Sequence, residues 1–136
     1  MNKFIRMIGN KYLLDTNIII AWLQGETAIA NKIEKAEEVH IPVIVVGELY
    51  YGATFSNKVQ KNIKEIKKVT SNYNVLLIDE GTAINYGNIK TELRKIGKPI
   101  PENDIWIAAI ARQYELTVVT RDNHFKTIDS ISLQNW

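Results

Sequence analysis

Apolar and polar positions along the chain alternate between two periods. Residues 11–14 are a short apolar run ending at Asp15, which predicts a buried strand. Asp15, Thr16 and Asn17 then offer three capping side chains ahead of an apolar helix over 18–23, closed by Gly25. Thr27 opens a second helix striped by Ile29, Ile33, Ala36 and Val39. The β-branched run 41–46 predicts a strand with Pro42 near its start, and 48–53 a helix leaving that strand's C-terminal end. Further helices are expected over 58–71 (Val59, Ile63, Ile66, Thr70, with lysines opposite), 82–96 (Ile89, Leu93, Ile96, stopped by Gly97) and 105–114, the last opened by Asn103 and Asp104 after a rigid Pro-Ile-Pro loop. Residues 75–79, 116–120 and 131–133 complete the strands, with a polar loop from Arg121.

Strands alternating with helices predict an α/β protein, a central, mainly parallel twisted sheet with helices on both faces. In such sheets ligands bind at the carboxyl ends of strands, near the point where strand order reverses. The 136 residues suit one domain, and 46% hydrophobic with 24% charged residues fits a globular core rather than a disordered chain. The absence of Cys excludes disulfides, zinc–thiolate and iron–sulfur sites, and cysteine nucleophiles. With only His40 and His124, carboxylates, hydroxyls, amides or a cation they hold must carry any catalysis. No run approaches the ~20 apolar residues of a membrane span, and the N-terminus lacks the apolar core of a secretory signal, so the cytoplasm is the expected compartment. A formal net charge of +2 by itself argues for neither a polyanion partner nor a membrane surface.

Five acids stand at or just past expected strand ends: Asp15, Glu48, Asp79, Asp104 and Asp122. Each has an ordinary explanation. Asp15 and Asp104 precede helices as N-caps do, Glu48 can answer a helix dipole, and Asp79 and Asp122 suit turns, Asp79 most of all. What separates these explanations from chemistry is convergence. Four carboxylates in one pocket repel one another unless a divalent cation sits among them. An all-carboxylate site suits Mg²⁺ or Mn²⁺, the arrangement of a phosphodiesterase that needs neither His nor Cys.

Four segments in order carry a resemblance: Leu13-Leu-Asp-Thr-Asn17, Val45-Val-Gly-Glu-Leu-Tyr-Tyr-Gly52, Ile100-Pro-Glu-Asn-Asp-Ile-Trp-Ile-Ala-Ala109 and Leu116-Thr-Val-Val-Thr-Arg-Asp122. Over about residues 11–133 the chain resembles a PIN-domain ribonuclease, specifically the VapC-type toxin of toxin–antitoxin pairs. The resemblance implies a PIN-like three-layer α/β/α fold and a Mg²⁺- or Mn²⁺-dependent endoribonuclease that cleaves RNA by in-line attack of an activated water. It puts the family's acids on Asp15, Glu48, Asp104 and Asp122. Asp15 and Asp104 would be the main metal ligands, and Glu48 and Asp122 would ligate directly or through water. Asn17 and Thr120 would support the ligands, and Arg121 would clamp a phosphate. Where family members often carry another acid, before the Phe of the final loop, this chain has His124. The first ten residues exceed the family's usual lead and are expected to add a strand or arm, or else the natural start is Met7. A homodimer neutralised by a VapB-like antitoxin is implied as well.

Lys58–Lys68 and Lys90–Lys98 form basic stripes suited to phosphates or to solvent alike. Trp22, Trp106, Tyr50 and Tyr51 suit either base stacking or core and dimer contacts. The competing function is a non-catalytic PIN-like module binding RNA or protein, which loss of a carboxylate would favour; all four positions are filled. A receiver domain would need an acidic pair at Asp15 and a late Lys, and a haloacid-dehalogenase-type phosphatase an Asp where Asn17 stands; neither fits. The four acids carry −4 of the net charge, leaving +6 on the rest of the chain, which reconciles a near-neutral total with an RNA substrate.

Overall fold

The computed structural model describes residues 10–136. The strand or arm expected over residues 1–10 lies outside them except for Asn10, which is in a turn. Five strands form one parallel sheet: β1 (Lys11–Leu14), β2 (Glu38–Pro42), β3 (Asn74–Leu76), β4 (Thr117–Val119) and β5 (Ser132–Gln134), in the order β3-β2-β1-β4-β5. Six helices flank it: α1 (Thr16–Leu23), α2 (Thr27–Lys35), α3 (Val43–Thr54), α4 (Val59–Asn72), α5 (Glu80–Lys95) and α6 (Glu102–Tyr114), and a 3₁₀ turn covers Asn123–Thr127. This is the expected α/β architecture, with the sheet entirely parallel. Among the described residues no helix is long and apolar enough to cross a membrane.

The chain steps outward from β1 to β2 and β3, then returns to add β4 and β5 on the other side. Strand order therefore reverses between β1 and β4, where Leu14 pairs with Val119. Both strands are buried on both faces: Leu13, Leu14, Val118 and Val119 are fully inaccessible, as their unbroken apolar runs require.

Three sequence expectations are corrected. The second strand is not 41–46 but Glu38–Pro42, and the β-branched residues Val43–Val46 begin α3. Partners decide this. β1 ends at Leu14 and β3 at Leu76, so a strand prolonged past Pro42 would have no ladder to join. Pro42 lacks the N–H to extend the ladder, and its φ of −67° leads into the helix. Burial of Val45 then outweighs β propensity. Val39 consequently belongs to β2, and α2 stops at Lys35. The third strand likewise stops at Leu76, leaving Leu77 and Ile78 exposed beyond the sheet edge rather than continuing to Asp79.

Gly25 and Gly97 end α1 and α5 with φ of +90° and +65°, the left-handed conformation that favours glycine after a helix. Asp79 caps α5 in a reciprocal capping box with Thr82 and accepts a hydrogen bond from Gln113 Nε2 at 2.8 Å. That settles the fifth acid as a cap. The Gln113 bond, followed by the Thr82 backbone N–H, holds its carboxyl below the ordinary value.

Candidate active site

The end of β1 delivers Asp15 into the gap where strand order reverses. Its backbone N–H donates to Val119 O at 3.0 Å, joining it to the end of β4. Asp15 caps α1, with Oδ1 accepting from Thr16 N at 2.8 Å. Oδ2 accepts from the Thr120 hydroxyl at 2.7 Å and from Asn17 Nδ2 at 3.4 Å. The capping role and membership of an acidic site thus coincide in one side chain. Asp15 is only 5% exposed, and burial raises its carboxyl above the ordinary value; the Thr120 and Thr16 donors pull it back and the Asp122 charge pushes it up.

Thr120 also accepts from Asp122 N at 2.9 Å, and Asn17 Oδ1 accepts from Arg121 N at 3.1 Å. Both expected supporting residues therefore hold the acid-bearing segments together. Phe125, fully buried, anchors the 3₁₀ turn that follows, and Asp122 caps that turn by accepting from His124 N at 2.9 Å. The anchored turn places His124 Nδ1 at 2.9 Å from Asp104 Oδ2 and 3.0 Å from Asp122 Oδ1.

Asp104 sits in the first turn of α6 rather than at its N-cap, which is Pro101. Burial raises its carboxyl first, the Asp15 and Asp122 charges raise it further, and the His124 bond opposes them. One ligand atom from each of Asp104, Asp122 and His124 lies within 4.8 Å of the others.

Glu48 lies in the second turn of α3, six residues past β2, and not directly beyond a strand end. It reaches the site through α1: Thr16 Oγ1 donates to Glu48 Oε1 at 2.8 Å. The geometry brings all four expected acids to one edge of the sheet. It does not bring the Arg121 guanidinium there. That group forms a two-pronged pair with Glu26 and donates from Nε to Trp136 O.

Sequence reasoning offers His124 only as a loop residue able to touch substrate, and Thr16 only as a cap. His124 occupies a position where the family pattern carries an acid, which was its signal; only the turn's fold shows it between two carboxylates. Thr16 reads as a capping residue, and nothing in the sequence links it to Glu48.

Carboxylate oxygens with one imidazole nitrogen form a donor set that suits a divalent cation. Burial first, and the neighbouring carboxylates after it, disfavour the charged forms of Asp15 and Asp104, and a cation held there would favour them.

Comparison with known proteins agrees with this fold. The family model described as "PIN domain" matches residues 12–131. The chain is 37% identical to Ribonuclease VapC2 of Haemophilus influenzae, covering 93% of this chain and 98% of that one. It is 30% identical to the tRNA(fMet)-specific endonuclease VapC of Shigella flexneri, over 93% and 98%. Among solved structures, VapBC2 from Rickettsia felis bound to a promoter DNA fragment matches with TM-score 0.85 and 32% identity, over 92% of this chain and 98% of that one. DNA-bound VapBC from Salmonella typhimurium matches with TM-score 0.87 and 31% identity, over 93% and 98%.

Proposed function

This chain belongs to the PIN-domain family, and on that premise we propose that it is a divalent-metal-dependent endoribonuclease, the toxin of a toxin–antitoxin pair. The supporting observation is the cluster of Asp104, Asp122 and His124 within charge range of Asp15 at the strand-order reversal, with Glu48 tied to Thr16 beside it and the Asp15 and Asp104 carboxyls raised above their ordinary range. All four acid positions are filled, which argues against the non-catalytic module.

Asp15, Asp104 and Asp122 would hold Mg²⁺ or Mn²⁺, with Glu48 direct or through water. A cation held by these residues would offset charge on the carboxylates and substrate phosphate and would acidify water for in-line attack at phosphorus. Thr120 and Asn17 fix Asp15 Oδ2, so one oxygen of the pocket keeps its place when substrate enters. Thr16 occupies Glu48 Oε1 and leaves Oε2 to orient the attacking water and accept its proton. His124 Nδ1 lies between Asp104 and Asp122 and, without a proton, would add a nitrogen to the donors around the cation. The proposed setting is the cytoplasm. There the chain would pair with a VapB-like antitoxin, as its VapBC structural neighbours do, and form the homodimer that the family resemblance implies.

The test measures RNA cleavage with Mg²⁺ or Mn²⁺, with EDTA, and in Asp15→Asn and Asp104→Asn. Metal-dependent cleavage lost in both variants is expected. Activity that persists in EDTA, or in both variants, would overturn the proposal.

A further inference from the structure

The span that carries Asp122 leaves the sheet at Thr120, whose N–H donates to Gln134 O at 3.0 Å. From there to Asp122 the chain belongs to neither strand nor helix. Arg121 is the middle residue of that span, and its side chain is held from two sides. Nη2 and Nη1 donate to the two carboxylate oxygens of Glu26 at 2.8 and 3.3 Å. Nε donates to Trp136 O at 2.9 Å.

Both anchors are themselves fixed. Glu26 stands at the corner between α1 and α2. Its N–H donates to Ala21 O at 3.2 Å, closing α1, and its carbonyl accepts from Ile29 N and Ala30 N, opening α2. It occupies the N-cap of α2, a position that favours Ser, Thr, Asp or Asn, yet its side chain makes no capping bond. The carboxylate is turned to Arg121 instead. Trp136 packs edge-on against Tyr12 of β1 with centroids 4.9 Å apart, and its Nε1 donates to Gln134 Oε1 at 2.9 Å. Lys32 of α2 lies 5.8 Å from the Trp136 ring centroid.

The helix that Asp15 caps therefore holds the Asp122 span from both of its ends. Asn17, in its first turn, accepts from the Arg121 backbone N–H, and Glu26, just past its last turn, takes the guanidinium. As a surface ion pair the contact adds little to stability, since Arg121 is 38% and Glu26 46% exposed. A planar fork that engages two carboxylate oxygens and a carbonyl at once does fix direction, which a lysine ammonium would not.

We infer that Arg121 is a positioning residue: locked on Glu26 and Trp136 O, it holds the span from Thr120 to Asp122 against α1 and so keeps Asp122 and His124 in place beside Asp15 and Asp104 for a cation. This role replaces the phosphate clamp expected from the sequence, because the guanidinium is engaged away from the acids. It rests on the metal-dependent reading.

The test uses Arg121→Met, which keeps the stem without donors, Arg121→Lys, and Glu26→Ala, which removes no cap bond. Three quantities are measured: Mn²⁺ affinity by calorimetry without RNA, KM for RNA at saturating Mn²⁺, and Tm in EDTA. Expected are roughly tenfold rises in the Mn²⁺ Kd for Arg121→Met and Glu26→Ala, a smaller rise for Arg121→Lys, and little change in KM or Tm. Through-space charge alone would move Arg121→Met and Glu26→Ala in opposite directions, because one loses a cation and the other an anion near an acidic site. Loss of the clamp weakens Mn²⁺ binding in both. Opposite shifts, or a wild-type Kd in either variant, would overturn the clamp. So would a raised KM in Arg121→Met with normal Mn²⁺ binding, which would return Arg121 to the phosphate. A Tm in EDTA lowered by more than ~5 °C in both variants would make the effect general destabilisation and overturn the positioning role. A wild type that binds Mn²⁺, with weaker binding in both variants, yet cleaves no RNA would overturn the nuclease reading and support the clamp.

Discussion

The hydroxyl of Thr120, at the end of β4, donates to Asp15 Oδ2, at the end of β1, across 2.7 Å. The two residues are 105 apart in the chain, and the parallel pairing of β1 with β4 makes them neighbours. Thr120 is 5% exposed, so water does not readily replace its donor. Thr120→Val keeps the shape and removes the bond. Its expected result is about a 10- to 100-fold loss in metal affinity or activity, as for residues that orient metal ligands. Thr120→Ser should recover most of it. A metal titration of cleavage checks this, and an unshifted titration curve in Thr120→Val would remove the orienting role.

Thr16→Val breaks the bond to Glu48 without touching Asp104, Asp122 or His124. If Glu48 orients the attacking water, kcat should fall about tenfold while the metal concentration for half-activity stays near wild type. Glu48→Gln should fall further. A Thr16→Val enzyme with normal kcat would show that Glu48 needs no such support.

Asp15 and Asp104 have folded-state protonation ranges raised above their unfolded values, chiefly by burial. Such groups contribute stability that is fully present below the ordinary carboxylate pKa and is lost as pH rises through the raised folded value. The metal-free protein should therefore lose part of its stability as pH rises above the ordinary carboxylate range. Asp104→Asn removes one of the repelling charges, so at pH 7.5 in EDTA its Tm should exceed that of wild type by ~2–4 °C. Added Mn²⁺ should raise the wild-type Tm and shift Asp104→Asn less. Thermal melts at pH 5 and 7.5 check both signs, and an Asp104→Asn less stable than wild type in EDTA would contradict them. Asp79 acts oppositely: its lowered folded value means that its contribution is present above the ordinary carboxylate range and lost as pH falls through the folded one.

His124 brings a nitrogen to within 3.0 Å of both Asp104 and Asp122. Imidazole suits later transition metals better than Mg²⁺, whereas carboxylate suits Mg²⁺ and Mn²⁺. The wild type should accordingly show a higher Co²⁺-to-Mg²⁺ activity ratio than His124→Asp, which restores an all-carboxylate set. Equal ratios in the two proteins would place His124 outside the metal's reach.

The sequence by itself determined the alternation of elements, the buried strands at 11–14 and 116–120, and the acids at Asp15, Asp104 and Asp122, because period, capping chemistry and strand ends are local properties. It also set Asn17 and Thr120 beside Asp15 through the family pattern they belong to. It misplaced the second strand at 41–46, because β-branched residues favour strands only where a partner strand remains, and the ends of β1 and β3 are not local information. For the same reason Glu48 looked like a strand-end acid, although it reaches the site from within a helix, by way of Thr16. Tertiary structure alone decided that Arg121 turns toward Glu26, that His124 bridges two carboxylates, and that Tyr51 is the exposed member of four aromatic candidates. Each of these depends on which distant segments share a surface, and the order of the sheet strands sets that.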